Sequence, residues 1–299
     1  MKQTLFIITI FLFLNLFGQK LTEKVGEIEV QLIGHYYKRN SDSELTKKKT
    51  NRKNRPYLKM YFDSTGILLK SINYGKQHNT DLRLTDKINI YSYENDKLIE
   101  SIEYESDYDK NIYPYWKSKY IYNQKGQLID ESTYYYKTDS LLEKTTYKYD
   151  INSNKVKSIF NPTYYYQREF DSKNKLVSLK QIFENKLRWE WNYTYVDNQR
   201  IGIFQTHYND GEDYSKKEIL TYRDGKVIER KEKYVSKKGW DEKTKIDYYP
   251  NGIIKRIENY EMIGERNEYR LVSYTEIKVK TKSKISRQIV ILINKKIEY

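Results

Sequence analysis

Three histidines, His35, His78 and His207, are the side chains best suited to hold a metal or move a proton near neutral pH, and they are scattered. None has a second ligand at the spacing a helix or strand would turn into a site, so a histidine metal centre is not expected. There is no cysteine, which removes thiolate ligation and cysteine nucleophiles. No G-x-S-x-G, Walker A or G-x-G-x-x-G pattern occurs, so hydrolase-elbow and phosphate-cradling chemistry lack their starting point. Acidic clusters stand at Asp107–Tyr108–Asp109 and at Asn209–Asp210–Gly211–Glu212–Asp213. They lack the full spacing of a calcium loop and read as Asn/Asp/Gly turns. No cofactor is expected.

Two features remain. Trp189, Trp191, Tyr193 and Tyr195 recur at period two, which places all four on one face of a strand and Glu190 on the other. An acid beside tryptophans suggests glycoside hydrolysis, but Glu190 faces away from both rings and a second carboxylate would be needed. The four aromatics are therefore expected either to hold the sheet together or to stack on a ligand. Lys278, Lys280, Lys282 and Lys284 line one face of another strand, with Ile277, Val279 and Ile285 opposite, and are candidate polyanion contacts. A solvated basic surface is the plainer reading.

The elements carrying these residues follow from composition and repetition. The chain has 299 residues, 32% of them charged, a net charge of +14, and 33 Tyr against 9 Phe. Tyrosine covers apolar surface while keeping its hydroxyl wet, which suits a thin sheet better than a thick core. Residues 1–18 read as a signal peptide: Lys2 is followed by an apolar run from Leu5 to Phe17, too short to span a bilayer, with Gly18 before the expected cleavage. Export to the periplasm or beyond follows, without a lipoprotein anchor or disulfide, and the export argues against a nucleic-acid partner. No later segment is apolar and long enough to be a transmembrane helix.

Residues 19–60 are expected to form an N-terminal strand around Glu27–Leu32 and a solvated basic loop from Ser41 to Pro56. Residues 61–267 are tyrosine-rich hairpin repeats. Turn residues Gly66, Asp96, Gly126, Asn154, Asn174, Gln199, Gly225 and Gly252 recur every 20 to 30 positions. An aromatic precedes each, and aliphatics such as Leu98, Leu128 and Val227 follow. Eight positions on stand Tyr74, Tyr104, Tyr134 and Tyr260, slipping to nine at Tyr208 and Tyr234, as a β-bulge would require. Residues 268–299 are read as closing strands: the Lys-rich strand as a guarded edge, then Ile289–Ile293 as a covered strand.

YKYDINSNKV (147–156), YIYNQKGQL (120–128) and TYRDGKV (221–227) resemble the RHS/YD repeats. DYYPNGIIKRIENYE (247–261) resembles the MORN-like repeats of YwqK-type antitoxin proteins. The resemblance covers about residues 61–267 and implies an all-β chain of antiparallel hairpins. The expected architecture is an extended twisted sheet or open solenoid-like strip, the chain being judged too short for the closed shell that large RHS proteins form around a toxin. The expected function is a non-enzymatic binding or structural module at the bacterial envelope. The alternatives are an immunity or antitoxin-like partner that grips a protein along the sheet edge, and a glycan-binding or glycan-active protein.

Overall fold

The computed structural model describes residues 27–39, 45–50, 56–74, 87–106, 111–207, 215–234, 241–263, 268–281 and 285–297. Over these the chain forms nineteen antiparallel strands and one helix. The strands are β1 (Ile28–Arg39), β2 (Leu45–Thr50), β3 (Leu58–Phe62), β4 (Leu68–Asn73), β5 (Lys87–Glu94), β6 (Lys97–Ser106), β7 (Ile112–Tyr122), β8 (Leu128–Tyr135), β9 (Leu141–Tyr149) and β10 (Lys155–Asn161). They continue as β11 (Tyr164–Phe170), β12 (Leu176–Phe183), β13 (Lys186–Val196), β14 (Gln199–Thr206), β15 (Ser215–Arg223), β16 (Lys226–Tyr234), β17 (Glu242–Tyr248), β18 (Ile254–Ile263) and β19 (Glu268–Thr281). The helix is α1 (Arg287–Lys296).

The sheet is a closed barrel. From β3 to β19 each strand pairs with the next, β1 pairs with β3 from Ile28↔Phe62 to Leu32↔Leu58, and β19 returns to β1 from Ile28↔Thr281 to Tyr36↔Ser273. Eighteen strands make the ring. β2 lies outside it, paired with the far end of β1 at Tyr36↔Thr50 and Tyr37↔Lys49. This overturns the expected open strip. Strand twist accumulates around many antiparallel strands, and ring closure satisfies the two rows of backbone groups that a strip would leave unpaired. β19 is consequently no edge, and part of the expected basic loop (Leu45–Thr50) is a strand.

The hairpin turns fall close to the expected anchors. Positive φ occurs at Gly66 (93°), Asp96 (60°), Gly126 (78°), Asn174 (59°), Gly225 (73°) and Gly252 (89°). Two anchors move by one or two residues: the left-handed residue is Ser153 rather than Asn154, and Asp197 rather than Gln199, which already begins β14. Four-residue turns open on an Asp or Asn whose Oδ1 accepts the amide four residues on: Ile67 to Asp63 at 2.9 Å, Asn154 to Asp150 at 2.8 Å, Lys175 to Asp171 at 2.8 Å. The register shifts recur where the aromatic enters the turn, as at Tyr61/Phe62, Ser92/Tyr93, Ile121/Tyr122, Glu169/Phe170, Thr221/Tyr222 and Asp247/Tyr248.

The tyrosine spacing has a physical cause. The tyrosine entering a turn reaches back one hairpin and donates to the carbonyl of the aliphatic that follows the previous turn. Tyr122 reaches Leu98 O at 3.0 Å, Tyr149 reaches Leu128 O at 2.8 Å, Tyr195 reaches Leu176 O at 3.0 Å, and Tyr248 reaches Val227 O at 2.7 Å. The lysine beside that aliphatic lies over the same ring, with Lys97 5.6 Å from Tyr122, Lys175 4.7 Å from Tyr195 and Lys226 5.3 Å from Tyr248. Four hairpins are thus latched to the one before; the β11–β12 hairpin, entered by Phe170, has no hydroxyl to donate. The second tyrosine series faces the other way: Tyr104, Tyr134 and Tyr260 lie on the outer wall, and the one-residue slip turns Tyr234 to the inner wall beside Lys216.

The expected last strand is a helix. Ser286 caps it, its side chain accepting from Ile289 N, and Ile289, Val290, Ile293 and Ile297 are buried while Arg287, Gln288 and Ile291 are exposed. β-branched residues favour strands in isolation, but here a 3.6-residue apolar stripe decides. The stripe packs on Ile28, Val30, Met60, Phe62, Leu68, Ile246, Ile254, Ile257 and Ile277, the larger of two buried apolar clusters among the described residues. The smaller, Tyr61, Ile72, Ile88 and Tyr104, is on the opposite face of the sheet. Asn294 pins it, donating to Gly252 O at 2.8 Å and accepting from Ile254 N at 2.9 Å. Gly66 is pressed under the helix, where a Cβ would meet Leu292 at 3.1 Å and Ile289 Cα at 3.3 Å. The larger cluster takes in Tyr91 of β5 and Val227 of β16, which lie well round the ring on either side of β1. Helix α1 therefore lies inside the ring, at the end formed by the short turns.

Candidate binding surface on the inner wall

Register carries one face around the whole ring, and the face bearing α1 is the inner one. Its character changes with distance from the helix. Between Tyr104 and Leu220 no hydrophobic side chain among the described residues is buried. Those buried there are polar: small side chains such as Thr145 and Ser158, and the Glu218 carboxylate. That part of the wall is a single layer wetted on both faces.

Trp189, Trp191, Tyr193 and Tyr195 do share a face, and it is the inner one: in register they oppose Thr206, Phe204, Gly202 and Arg200 of β14. Three of them join a larger array. Phe160 stacks on Tyr164 at 4.9 Å between centroids and meets Tyr166 edge-on at 5.2 Å. Tyr164 touches Phe183 at 6.1 Å, Tyr166 leads to Trp189 at 5.7 Å, and Trp189 to Phe204 at 5.7 Å. Phe204 touches Trp191 at 5.1 Å, whose ring is parallel to that of Tyr193 within 2° at 5.8 Å. Both of those rings close over Gly202, where a Cβ would come within 3.0 Å of each. Eight rings from five strands make one continuous surface, and none is in a dry core. Gln181 lies among them, its amide donating to the Tyr164 hydroxyl at 3.0 Å and the Tyr166 hydroxyl at 3.2 Å. Tyr195 stands apart at the turn end, engaged as a latch.

Beside the array is a compact ionic cluster. The Glu218 carboxylate takes Arg200 at 3.1 Å and Arg230 at 2.7 Å, and Glu232 takes Lys216 at 3.3 Å and a second contact from Arg230. Both acids are nearly buried, so these pairs are shielded from solvent as surface pairs are not. Two of the cations also serve the array: Arg200 lies 4.9 Å over Tyr193 and Lys216 5.3 Å over Trp191. Burial pushes the Tyr193 hydroxyl up to about 12. Glu242 follows in the same wall, its pKa raised by burial and then by Glu232 and Glu261. Arg200 Nε and, further round, Trp116 Nε1 are buried donors without a hydrogen-bond partner in the protein.

Glu190 is on the outer wall, as its alternation with the tryptophans requires, opposite Lys180 and Gln205, with His207 Nε2 at 3.4 Å. His35 is stacked on Tyr274 at 4.5 Å and lies 3.4 Å from Glu276. Lys278 and Lys280 are on the outer wall of β19 in company of mixed charge. Lys280 is 3.6 Å from Glu29, and Lys278 lines a 440 Å³ groove in which Asp247, Glu258 and Glu276 are balanced by Lys255 and Arg256. Lys282, Lys284, His78, both acidic clusters and the signal-like segment lie outside the described residues. The remaining outer wall presents lysines such as Lys119, Lys148, Lys217, Lys231, Lys233 and Lys245. A membrane-spanning barrel shows the reverse, an outward apolar band about 25 Å tall. No helix among the described residues is long and apolar enough to cross a membrane.

Fold and wall together define a closed eighteen-stranded barrel. Its outer wall is largely charged apart from the apolar patch of Tyr61, Ile72, Ile88 and Tyr104, and its inner wall is aromatic and wet away from α1. No family model matches the chain, so the RHS/YD and MORN-like resemblances rest on their short motifs. No curated protein sequence matches it. Among solved structures, the chain is similar to a crystal structure of TcdB2-TccC3 without its hypervariable C-terminal region, at 12% identity and a TM-score of 0.40. That match covers 80% of this chain but 13% of the other. A porin-like protein from Bacteroides uniformis matches at 9% identity and a TM-score of 0.38, over 86% of this chain and 96% of the other.

Proposed function

We propose that this protein is an exported, non-enzymatic binding barrel of the bacterial envelope, water-soluble rather than membrane-spanning, whose ligand is taken on the inner wall. The observation that carries this reading is the eight-ring surface across β10–β14, which lies in a solvated part of the barrel rather than in its core. Rings left half-exposed on a concave wall mark a place where something else completes their burial. The signal-like N-terminus supports export, and the lysine-rich exterior supports a soluble barrel. The RHS/YD and MORN-like motifs agree with a hairpin-repeat origin. An antitoxin-like grip along a sheet edge is less favoured, because the eighteen ring strands are paired on both sides and the edge left among the described strands is that of the six-residue β2.

Fractionating cells that express the native gene, and sequencing the recovered N-terminus, tests the reading. A start at or near Gln19 in the periplasmic or extracellular fraction is expected. Recovery of the intact chain from the cytosol, or a glycan-cleaving activity lost in Glu190→Gln, would overturn it.

A further inference from the structure

We infer that the inner-wall array on β10–β14 is a binding site for a linear oligosaccharide. This deepens the binding-barrel reading and rests on it. Three observations select the ligand class. First, five of the eight rings, Tyr164, Tyr166, Trp189, Trp191 and Tyr193, carry a polar atom at their edge. A cavity built for a lipid or other hydrocarbon would be lined by Leu, Ile and Phe, whereas a sugar offers C–H bonds to ring faces and hydroxyls to ring edges. Second, hydrogen-bonding groups are interleaved with the rings: the Gln181 amide joins two tyrosine hydroxyls, and buried Arg200 Nε, over Tyr193, has no acceptor in the protein. A buried donor left open costs free energy unless water or a ligand meets it, and a sugar hydroxyl or ring oxygen is such an acceptor.

Third, the ring is closed. A polypeptide ligand that adds a strand needs unpaired backbone groups, and here each of β10–β14 is paired on both sides. A saccharide requires only side chains. Four interstrand spacings separate β10 from β14, so the array runs roughly 19 Å around the wall. That length suits several sugar units in a row rather than one.

Isothermal titration of the full chain with a linear series from disaccharide to hexasaccharide, in several linkage types, tests the inference. For at least one linkage, affinity should rise with chain length and then level off once the array is spanned. Trp191→Leu and Tyr166→Leu, which keep apolar bulk but remove the ring, should each weaken binding by about tenfold. Gly202→Ala, which removes no ring but displaces Trp191 and Tyr193, should weaken it too, and the outer-wall Tyr134→Leu should not. Should the leucine variants fail to fold, Gly202→Ala decides. Binding that is absent for every saccharide, indifferent to Gly202→Ala, or replaced by uptake of an unfolded polypeptide or an apolar dye would overturn the saccharide assignment. Exported protein with no saccharide binding would sink this inference alone, whereas cytosolic protein would sink the binding-barrel reading beneath it.

Discussion

Asn294→Ala probes the feature on which the closed turn-end of the barrel depends. The amide of Asn294 makes two bonds to backbone, to Gly252 O at 2.8 Å and from Ile254 N at 2.9 Å, at a place where Ile254 is 1% exposed. Alanine leaves both backbone groups without partners in a site that water reaches poorly. Each such orphan costs about 1–3 kcal/mol. Alanine is also the better helix former, which returns roughly 0.5 kcal/mol. The net loss is therefore about 1.5–5.5 kcal/mol, a fall in melting temperature of roughly 2–9 °C for a chain of this size. Asn294→Asp should cost more than Asn294→Ala, because it keeps the acceptor for Ile254 but aims an anion at the Gly252 carbonyl. The neighbouring Lys295→Ala, at an exposed position, should shift the melt by less than about 1 °C. Calorimetry gives the melts, and amide exchange at Ile254 gives the local opening. Melts for Asn294→Ala within 1 °C of the parent, with the Ile254 amide still protected, would refute the docking of α1 against the wall.

Tyr149→Phe removes the latch to Leu128 O and should cost about 0.5–1.5 kcal/mol by urea denaturation, whereas Phe160→Leu removes no such bond. Gly66→Ala should destabilise by more than about 1 kcal/mol, since Gly66 combines a φ of 93° with close contact to Leu292 and Ile289, and its melt would show this. Glu242 has a folded pKa raised by burial, Glu232 and Glu261, so its charge opposes folding as pH rises from the unfolded value through the folded one. Glu242→Gln should accordingly raise the melting temperature at pH 7, and the gain should vanish near pH 4. Tyr61, Tyr93 and Tyr193 are held up to about 12 chiefly by burial, so the neutral hydroxyls stabilise the fold below pH 10 and that support is lost as pH rises through 12. Ultraviolet titration should show these tyrosines ionising together with unfolding.

Much of this architecture was legible in the chain. The period-two aromatics of β13 share the inner wall, Glu190 faces out, and the turn anchors fall where Gly, Asn and Asp supply positive φ, because these are local rules of strand geometry. What was not legible is non-local. Closure depends on Ile28↔Thr281, a pairing between the first and last strands that no local pattern encodes. The partners of the Trp ladder, namely Phe160, Tyr164, Tyr166 and Phe204, lie on other strands, and only register brings them together. The run Tyr164–Tyr165–Tyr166 was a signal, but not of which face it served. In the tail, Ile289–Ile293 carried two conflicting patterns, β propensity and a helical apolar stripe. Tertiary packing under the turns of Gly66 and Gly252 chose the stripe. The tyrosine latch explains the repeat that sequence could only count.

Closure of the ring is the claim on which the inner wall, and therefore any ligand within it, depends. The chain has no cysteine, so two introduced ones define a single pair of spin labels. Lys59 on β3 and Lys278 on β19 both face outward and are both in register with Gln31 of β1, placing their backbones two interstrand spacings, about 10 Å, apart. In an open strip that begins with β1 and ends with β19, sixteen spacings would separate them, roughly 75 Å. Electron paramagnetic resonance on the doubly labelled protein should give one short distance, under about 25 Å with the label arms included. A distribution centred beyond 50 Å would contradict the barrel and return the chain to an open sheet.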